Sequence, residues 1–276
     1  MSRLPEKKDD QPRSFLRWAG SKKQILPILQ THWNSTFTRY VEPFAGSACL
    51  FFRIQPDRAL LGDINKDLIS TYVEVKYRVA GVIEELSKLE KGRDNYLRLR
   101  GMDVSELSRS EKAARFIYLN RFCFNGLYRT NLKGQFNVPY GGERSGSLPT
   151  AEALRASSKM LKNALLIPGG FEKVLKKVVP GDFVYLDPPY SVEEKRVFKE
   201  YNAAAFGESD LKTLRSWLEK FANQNIKFLV SYAESDEADV LRKGFHSKVI
   251  SVRRNIAGFS ASRLRSNEVL ISSNRM

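Results

Sequence analysis

Asp187-Pro188-Pro189-Tyr190 constrains this chain more than any other four residues. The motif closes the apolar run Phe183-Val184-Tyr185-Leu186, which follows the turn residues Pro180-Gly181-Asp182. A turn, an apolar burst and then two prolines describe a buried strand that stops abruptly at its carboxyl end. In open α/β sheets, ligands bind just beyond the carboxyl ends of the strands. An acid, two positions without a backbone donor and an aromatic ring are thus brought to that edge together. Such a set suits the holding of a planar amino group by its two N–H bonds over a stacked ring. The plainer reading of the same residues is a Pro-rich strand exit with a surface Asp.

The remaining pattern supplies the sheet that this strand needs. Brief apolar segments ending in an acid and a turn occur at Arg39–Phe44 and Arg58–Asp63. A second block of strands is predicted at Asp182–Leu186, Ile226–Ser231, Lys248–Arg253 and Glu268–Ser272. Between them, Glu208–Asn223 carries Leu211, Leu214, Leu218 and Phe221 at helical spacing. Strands alternating with helices make an α/β chain with a doubly wound sheet.

The stretch from residue 66 to residue 150 departs from this alternation. Asp67 to Leu99 reads as helices, with Leu68, Tyr72, Val75, Val79 and Ile83 on one face, and Glu111–Asn120 as a further short helix. Cys123–Tyr140 follows, rich in Asn, Gly, aromatic and basic residues. Asn131-Leu132-Lys133-Gly134 lies between runs containing Phe, Tyr and Val, which predicts a β-hairpin. The organisation expected is therefore a first part of the sheet domain over 1–65, with residues 1–13 a loose tail. A mostly helical insert over 66–150 bears the hairpin, and the second part of the sheet domain spans 151–276.

Charge points to the partner. Forty-six Lys and Arg face 31 Asp and Glu, giving +15 at pH 7, an excess that favours a polyanion such as nucleic acid. No stretch joins a strong apolar moment to a basic face, and no run of 18 apolar residues occurs, so no membrane role is expected. Two cysteines, Cys49 and Cys123, are too few for a disulfide framework and fit a reducing compartment. The two histidines, His32 and His246, make no zinc cluster, and no metal is expected. The polar N-terminus of mixed charge is not a signal peptide, which makes the cytoplasm the expected location.

Three further segments bear on a ligand. Val41-Glu42-Pro43-Phe44-Ala45-Gly46-Ser47 is a strand followed by a small-residue turn, where Gly46 lets the backbone approach a ligand. With only one of the three fingerprint glycines it is not a dinucleotide site, so diphosphate binding is disfavoured, and a phosphate-free ligand that carries an adenosine stays open. Asp63 ends the next strand about 20 residues on, where a Rossmann-type fold grips two ribose hydroxyls, and Ile64 beside it can face an adenine ring. The competing role for Asp63 is a helix N-cap. Phe15-Leu16-Arg17-Trp18-Ala19-Gly20-Ser21-Lys22-Lys23 offers a stacking wall beside basic groups.

In this order the segments resemble the Dam-type DNA adenine methyltransferases, which use S-adenosylmethionine. The Trp-Ala-Gly-x-Lys segment, the Glu-Pro-Phe-x-Gly turn, Gly62-Asp63-Ile64-Asn65 and Asp-Pro-Pro-Tyr follow one another as in that family, from about residue 14 onward. Asn120–Asn131 and Gly134–Gly141 resemble its DNA-contacting hairpin, which narrows the likeness from amino-group methyltransferases in general to those acting on DNA. The resemblance implies a Rossmann-like methyltransferase sheet with an inserted target-recognition domain. It implies S-adenosylmethionine as cofactor, double-stranded DNA as partner, and a monomer in solution. Trp18, Lys22, Asp63 and Asp187 match cofactor-contacting positions, joined by Glu42, Phe44, Gly46 and Ile64 from the segments above. Arg17 matches a basic residue set against a base of the site, and Phe124, followed by Asn125, an aromatic wedge beside a flipped base. Leu127, Arg129 and Pro139 match residues that read the flanking bases of a GATC site, with Asn131 in the same hairpin. Departures are Ser21 for a usual glycine, Phe124 where Tyr is common, and Gly142 where close members carry an arginine, Arg144 standing two residues on.

The implied chemistry is direct methyl transfer to the exocyclic amino group of a flipped adenine, with Asp187, Pro188, Pro189 and Tyr190 as the catalytic set. Cys49 and Cys123 have no part in it as nucleophiles. Val252-Arg253-Arg254-Asn255 and Arg263-Leu264-Arg265, around Gly258, form a basic cluster suited to phosphate or simply to solvent. Two other readings compete. One is a methyltransferase for another amino substrate, RNA adenine or protein glutamine. The other is a non-catalytic DNA-binding module on a decayed methyltransferase scaffold. A basic hairpin suits the open major groove of B-DNA rather than the narrow one of A-form RNA, and intact Trp18, Asp63, Asp187 and Tyr190 argue for catalysis.

Overall fold

A computed structural model of the protein describes residues 14–189, 206–253 and 265–273. The N-terminal tail, Tyr190 and the basic cluster from Arg254 to Leu264 lie outside the described residues.

Seven strands form one sheet in the order β3-β2-β1-β4-β5-β7-β6. They are β1 (Arg39–Glu42), β2 (Ala59–Asp63), β3 (Ala164–Pro168), β4 (Asp182–Leu186), β5 (Lys227–Ala233), β6 (His246–Arg253) and β7 (Arg265–Ser272). The first five run parallel, and β7 is inserted antiparallel between β5 and β6. Pro43 and Pro188 end β1 and β4 because neither can donate to the ladder. β2 and β4 are buried along their whole length, as expected of strands covered on both faces.

The expected strands all form, with ends displaced by a few residues, and a seventh joins them. β3 lies at the sheet edge, where Leu165 is 55% exposed, Leu166 and Ile167 are half-buried and only Ala164 is buried. Neither alternation nor full burial marks it, so its five residues look like a continuation of the preceding helix.

Helices flank the sheet: α1 (Leu26–Leu29), α2 (Cys49–Ile54), α3 (Lys66–Ser87), α4 (Arg93–Gly101) and α5 (Arg109–Phe122) come before β3 or beside it in sequence. Further on are α6 (Ala151–Leu161), α7 (Phe171–Leu175), α8 (Glu208–Asn223) and α9 (Asp236–Arg242). Asn65 caps α3 by accepting from the Leu68 N–H. The backbone of α3 breaks from helical geometry at Arg78 (φ −135°, ψ 39°). Its first half buries Leu68, Ile69, Tyr72 and Val75, whereas beyond the break Val82 and Leu86 are buried and Val79 and Ile83 only half-buried. The expected stripe is therefore displaced after the break, since each departure from helical φ/ψ rotates the downstream face.

α5 begins with a capping box, in which Ser108 Oγ accepts from the Glu111 N–H and Glu111 Oε2 from the Ser108 N–H. Tyr96, Leu99, Tyr118, Phe122, Cys123 and Val138 make a small core of their own around α4 and α5, apart from the two larger clusters on the faces of the sheet. From that core emerges an antiparallel excursion with bridges Cys123–Tyr140 and Thr130–Phe136. Asn131 closes its tip, its side-chain oxygen accepting from the N–H groups of Lys133 and Gln135. The hairpin predicted there forms, as isolated bridges rather than a continuous ladder.

Candidate active site and DNA-facing segment

Strand order reverses between β1 and β4, since β2 and β3 lie to one side and β5 to the other. Such a switch point opens a crevice beyond the strand ends. A cleft of about 1040 Å³ lies there, lined at its floor by Glu42, Asp63 and Asp187, one acid from each of β1, β2 and the exit of β4. All eight residues assigned to the cofactor from the sequence line it, as do Pro188, Pro189 and Leu127.

Asp187 is held by one edge. Its Oδ1 accepts from Lys22 Nζ at 3.1 Å and from Ser231 Oγ at 3.2 Å. Ser231 in turn meets the Tyr185 hydroxyl at 2.9 Å, and Lys22 Nζ also bonds Glu268 Oε1 at 3.0 Å. Lys22 and Glu268 are buried, while the Asp187 side chain keeps 23% of its surface open to the cleft. Burial pushes the Asp187 carboxyl up to about 6, against the pull of Lys22 and with the help of the Glu268 charge. Glu42, which accepts from the Tyr40 hydroxyl at 3.0 Å, is raised well above the usual carboxylate range, again by burial first.

Asp63 organises the loop after β1. Its Oδ2 accepts from the Gly46 N–H and its Oδ1 from the Asn65 N–H, each at 2.9 Å. Burial raises its carboxyl, and those two backbone donors work the other way. The cap of the following helix is Asn65, so Asp63 is not the N-cap that its position also allowed. Gly46 has φ +46°, and a Cβ there would sit 2.7 Å from Trp18 Cδ1. Only glycine fits between that turn and the indole. Trp18 stacks on Tyr128 with centroids 5.9 Å apart and planes 19° from parallel. Phe44 stacks on Phe171, and Phe206 meets both edges of this apolar wall. Ile64 is 56% exposed at the rim.

The residues assigned to DNA lie outside the cleft apart from Leu127, and are spread over the excursion and its root. Phe124 is 43% exposed, followed by Asn125 in a left-handed conformation (φ +54°). Pro139 and Arg144 are exposed and Leu127 is half-buried. The Arg129 guanidinium is held across the excursion by Asn137, with Nε on the side-chain oxygen at 2.7 Å. Asn131 has its side chain in the tip turn. Arg17 is tied inward, its guanidinium donating to the carbonyls of Ser145 and Arg121 while Asn120 clamps its backbone on both sides.

Several lining or supporting residues went unmarked in the sequence: Tyr128, Phe171, Phe206, Ser231 and Glu268. Two carried a signal. Ser231 interrupts Phe228-Leu229-Val230 and Tyr232, and Glu268 precedes Val269-Leu270-Ile271. A polar residue in an apolar strand needs a buried partner. Cys123 is buried with its thiol pushed up to about 11 by burial, which leaves it no thiolate character at neutral pH. No group of three metal-ligating side chains occurs among the described residues, and no helix among them is long and apolar enough to cross a membrane.

Known proteins are similar to this chain along most of its length. A type II methyltransferase of Lactococcus lactis subsp. cremoris is 34% identical over 94% of this chain and 95% of its own length. A type II methyltransferase of Methanocaldococcus jannaschii is 34% identical over 88% of this chain and 92% of its own. The DNA adenine methylase of Escherichia coli K12 is 30% identical, covering 94% of each. The family model for the D12 class N6 adenine-specific DNA methyltransferases matches residues 18–256, which take in every residue that lines the cleft. With six of the seven strands described and the motif-bearing segments inside that match, the chain belongs to the D12 class of N6 adenine-specific DNA methyltransferases.

Proposed function

We propose that the protein transfers a methyl group from S-adenosylmethionine to the exocyclic amino group of adenine in duplex DNA, at GATC or a closely related site, after flipping the base. The observation that carries this reading is the one-edged grip on Asp187. Its Oδ1 is taken by Lys22 and Ser231, and the carboxylate stays partly open to the cleft. An acceptor fixed in this way suits one N–H of an adenine amino group.

The cleft fits the cofactor. Its Asp187 carboxylate, partly open to the cleft, favours a ligand carrying positive charge, and the Gly46 turn against Trp18 makes a narrow wall for a planar group. Trp18, Phe44, Asp63 and Ile64 would hold the nucleoside part, and Lys22 and Glu42 line the deeper part. When bound, S-adenosylmethionine supplies an electrophilic methyl group.

The chain's own residues do the rest. Asp187 accepts one amino N–H and the Pro188 carbonyl the other, which localises the nitrogen lone pair. Pro189 brings no competing N–H. Tyr190, by resemblance, stacks on the flipped ring. Positioning and electrostatics account for the catalysis, and no covalent intermediate on the protein is needed.

The region from residue 66 to residue 150 is the target-recognition part in this reading. Its separate core and its emergent excursion support that role. Phe124 is the wedge that fills the vacated stack, and Arg129, Leu127 and Pro139 read flanking bases. Arg144 and Asn131 support the backbone contacts, and Arg17 fixes the root of the excursion. The type II names of two relatives support a restriction-modification setting. The test is to incubate the protein and S-adenosylmethionine with genomic DNA free of modified adenine and to map the modified positions. Modification confined to GATC-like sites is expected. Modification of RNA alone, or of none of the DNA, would end the reading.

A further inference from the structure

Glu268 stands on β7, the antiparallel strand between β5 and β6, opposite Ala233 on one side and Ile250 on the other. It is 5% exposed beside the buried Val269, Leu270 and Ile271, and it is the second carboxylate on Lys22 Nζ. Lys22 comes from the opposite end of the sequence and bridges Glu268 to Asp187. A lysine ammonium is a compact charge on a flexible four-carbon stem, so a single carboxylate does not fix its direction. Two carboxylates on opposite sides do. The Asp187 edge that Lys22 and Ser231 hold is the same one, Oδ1.

We propose that Glu268 is a positioning residue for methyl transfer, holding Lys22 on Oδ1 of Asp187 so that Oδ2 is presented to the substrate amino group. The inference rests on Asp187 being the amino-group acceptor. Without Glu268, Lys22 can swing toward Oδ2 and compete with the substrate for the same lone pairs. Glu268 also sets the charge around the acceptor. Among the described residues, the other titratable groups that act on Asp187 or are acted on by it are Lys22, Glu42, Tyr40 and Tyr185. Of these only Lys22 favours the ionised acceptor, and the Glu268 charge opposes it.

Single-turnover methylation of a duplex oligonucleotide, at saturating DNA and S-adenosylmethionine, is measured from about pH 5 to pH 8.5 for the parent, Glu268→Gln and Glu268→Ala. Gln retains an oxygen for Lys22 but removes one negative charge near Asp187. Its acid limb moves to lower pH by about half a unit or more. Ala releases Lys22, and the plateau rate falls at least about tenfold, with oligonucleotide affinity unchanged and most of the loss recovered in Gln. Where Ala unfolds, the isosteric Gln variant carries the test through its midpoint. A Gln variant that titrates with the parent overturns the proposal, and equal losses in Gln and Ala with a parental midpoint reduce Glu268 to packing. Asp187→Ala is run beside them. Should it retain activity, the acceptor reading itself falls. Should it be inactive, the Glu268 result stands on its own.

Discussion

The cleft and the excursion are built in opposite ways. Side chains that line the cleft or support it from behind come from the N-terminal segment, β1, β2, β4, β5 and β7, and meet only because the sheet brings those elements together. Its polar groups are buried and bonded across more than 200 residues of chain in the case of Lys22 and Glu268. The excursion is local. Arg129 is held by Asn137, and Asn131 by Lys133 and Gln135, all within eight residues. Acids dominate one and exposed residues such as Leu132, at 86%, the other. A catalytic acceptor has to be rigid and partly desolvated, whereas a reading surface has to exchange its own hydrogen bonds for those of a base. Substitutions in the cleft should therefore damage turnover at every DNA site, and those in the excursion should change the choice among sites.

The largest effect tests the first half of that contrast. Asp187→Ala is expected to lower single-turnover methylation by about 10³-fold on all substrates, with the fold intact by circular dichroism. Asn at the same position keeps one acceptor oxygen and should retain measurable activity. Wild-type turnover in the Ala variant would remove the acceptor from the mechanism.

Asp63→Ala should weaken S-adenosylmethionine binding by roughly 10- to 100-fold, the worth of a hydrogen-bonded charge, and DNA binding far less. It loses two backbone donors that shape the Gly46 turn as well as any contact to the ligand. Calorimetry that finds parental cofactor affinity would leave Asp63 as a loop anchor only.

pH separates the regions again. In the proposed mechanism Asp187 accepts in its ionised form, and its carboxyl stands at about 6, so the rate should fall about tenfold for each unit below that pH. Stability runs the other way. The folded protein holds this proton more tightly than the unfolded chain does. The contribution of Asp187 to stability is thus fully present below its ordinary value of 3.8 and is lost as pH rises through about 6. A pH–rate profile without an acid limb near 6, beside unchanged oligonucleotide binding, would contradict the assignment.

The smallest effect belongs to the excursion. Arg129→Ala should relax discrimination at one outer base pair of the site by about 1 kcal/mol, the low end for a bidentate contact. The low end applies because Asn137 already satisfies part of the guanidinium in the free protein. Initial rates on oligonucleotides with single substitutions in the site measure it. An equal rate loss on every oligonucleotide would place Arg129 with the cleft residues instead.

Much of this was legible in the sequence because the cleft is built at strand exits. Pro43, Pro188 and the acids beside them mark where β1 and β4 stop, and Asp63 marks the end of β2. Each signal is local, and the sheet grammar supplies the third dimension. Hidden instead were contacts that depend on strand order. Ser231 reaches Asp187 because β5 lies next to β4, and Glu268 reaches it through Lys22 because β7 lies next to β5 on the same side of the switch point. Tyr128 reads as another aromatic in the excursion, yet it lies flat on Trp18, which is 110 positions earlier. The break in α3 at Arg78 was invisible because the apolar spacing is regular through it. The edge strand β3 escaped for the reason that makes it an edge, its half-exposed residues.

The insertion of β7 between β5 and β6 bears on the order of synthesis. Parallel strands β1 to β5 can pair as they leave the ribosome, in the sequence β1 with β2, then β3, then β4, then β5. Glu268 emerges with β7, 246 residues after the Lys22 that it contacts. A nascent chain stalled before residue 265 can hold most of the sheet, and Trp18 and Asp63 can already face each other across the forming crevice. Until β7 has been made and has inserted beside β5, a growing chain can have the shape of the cleft without the Glu268 carboxylate that meets Lys22 behind Asp187.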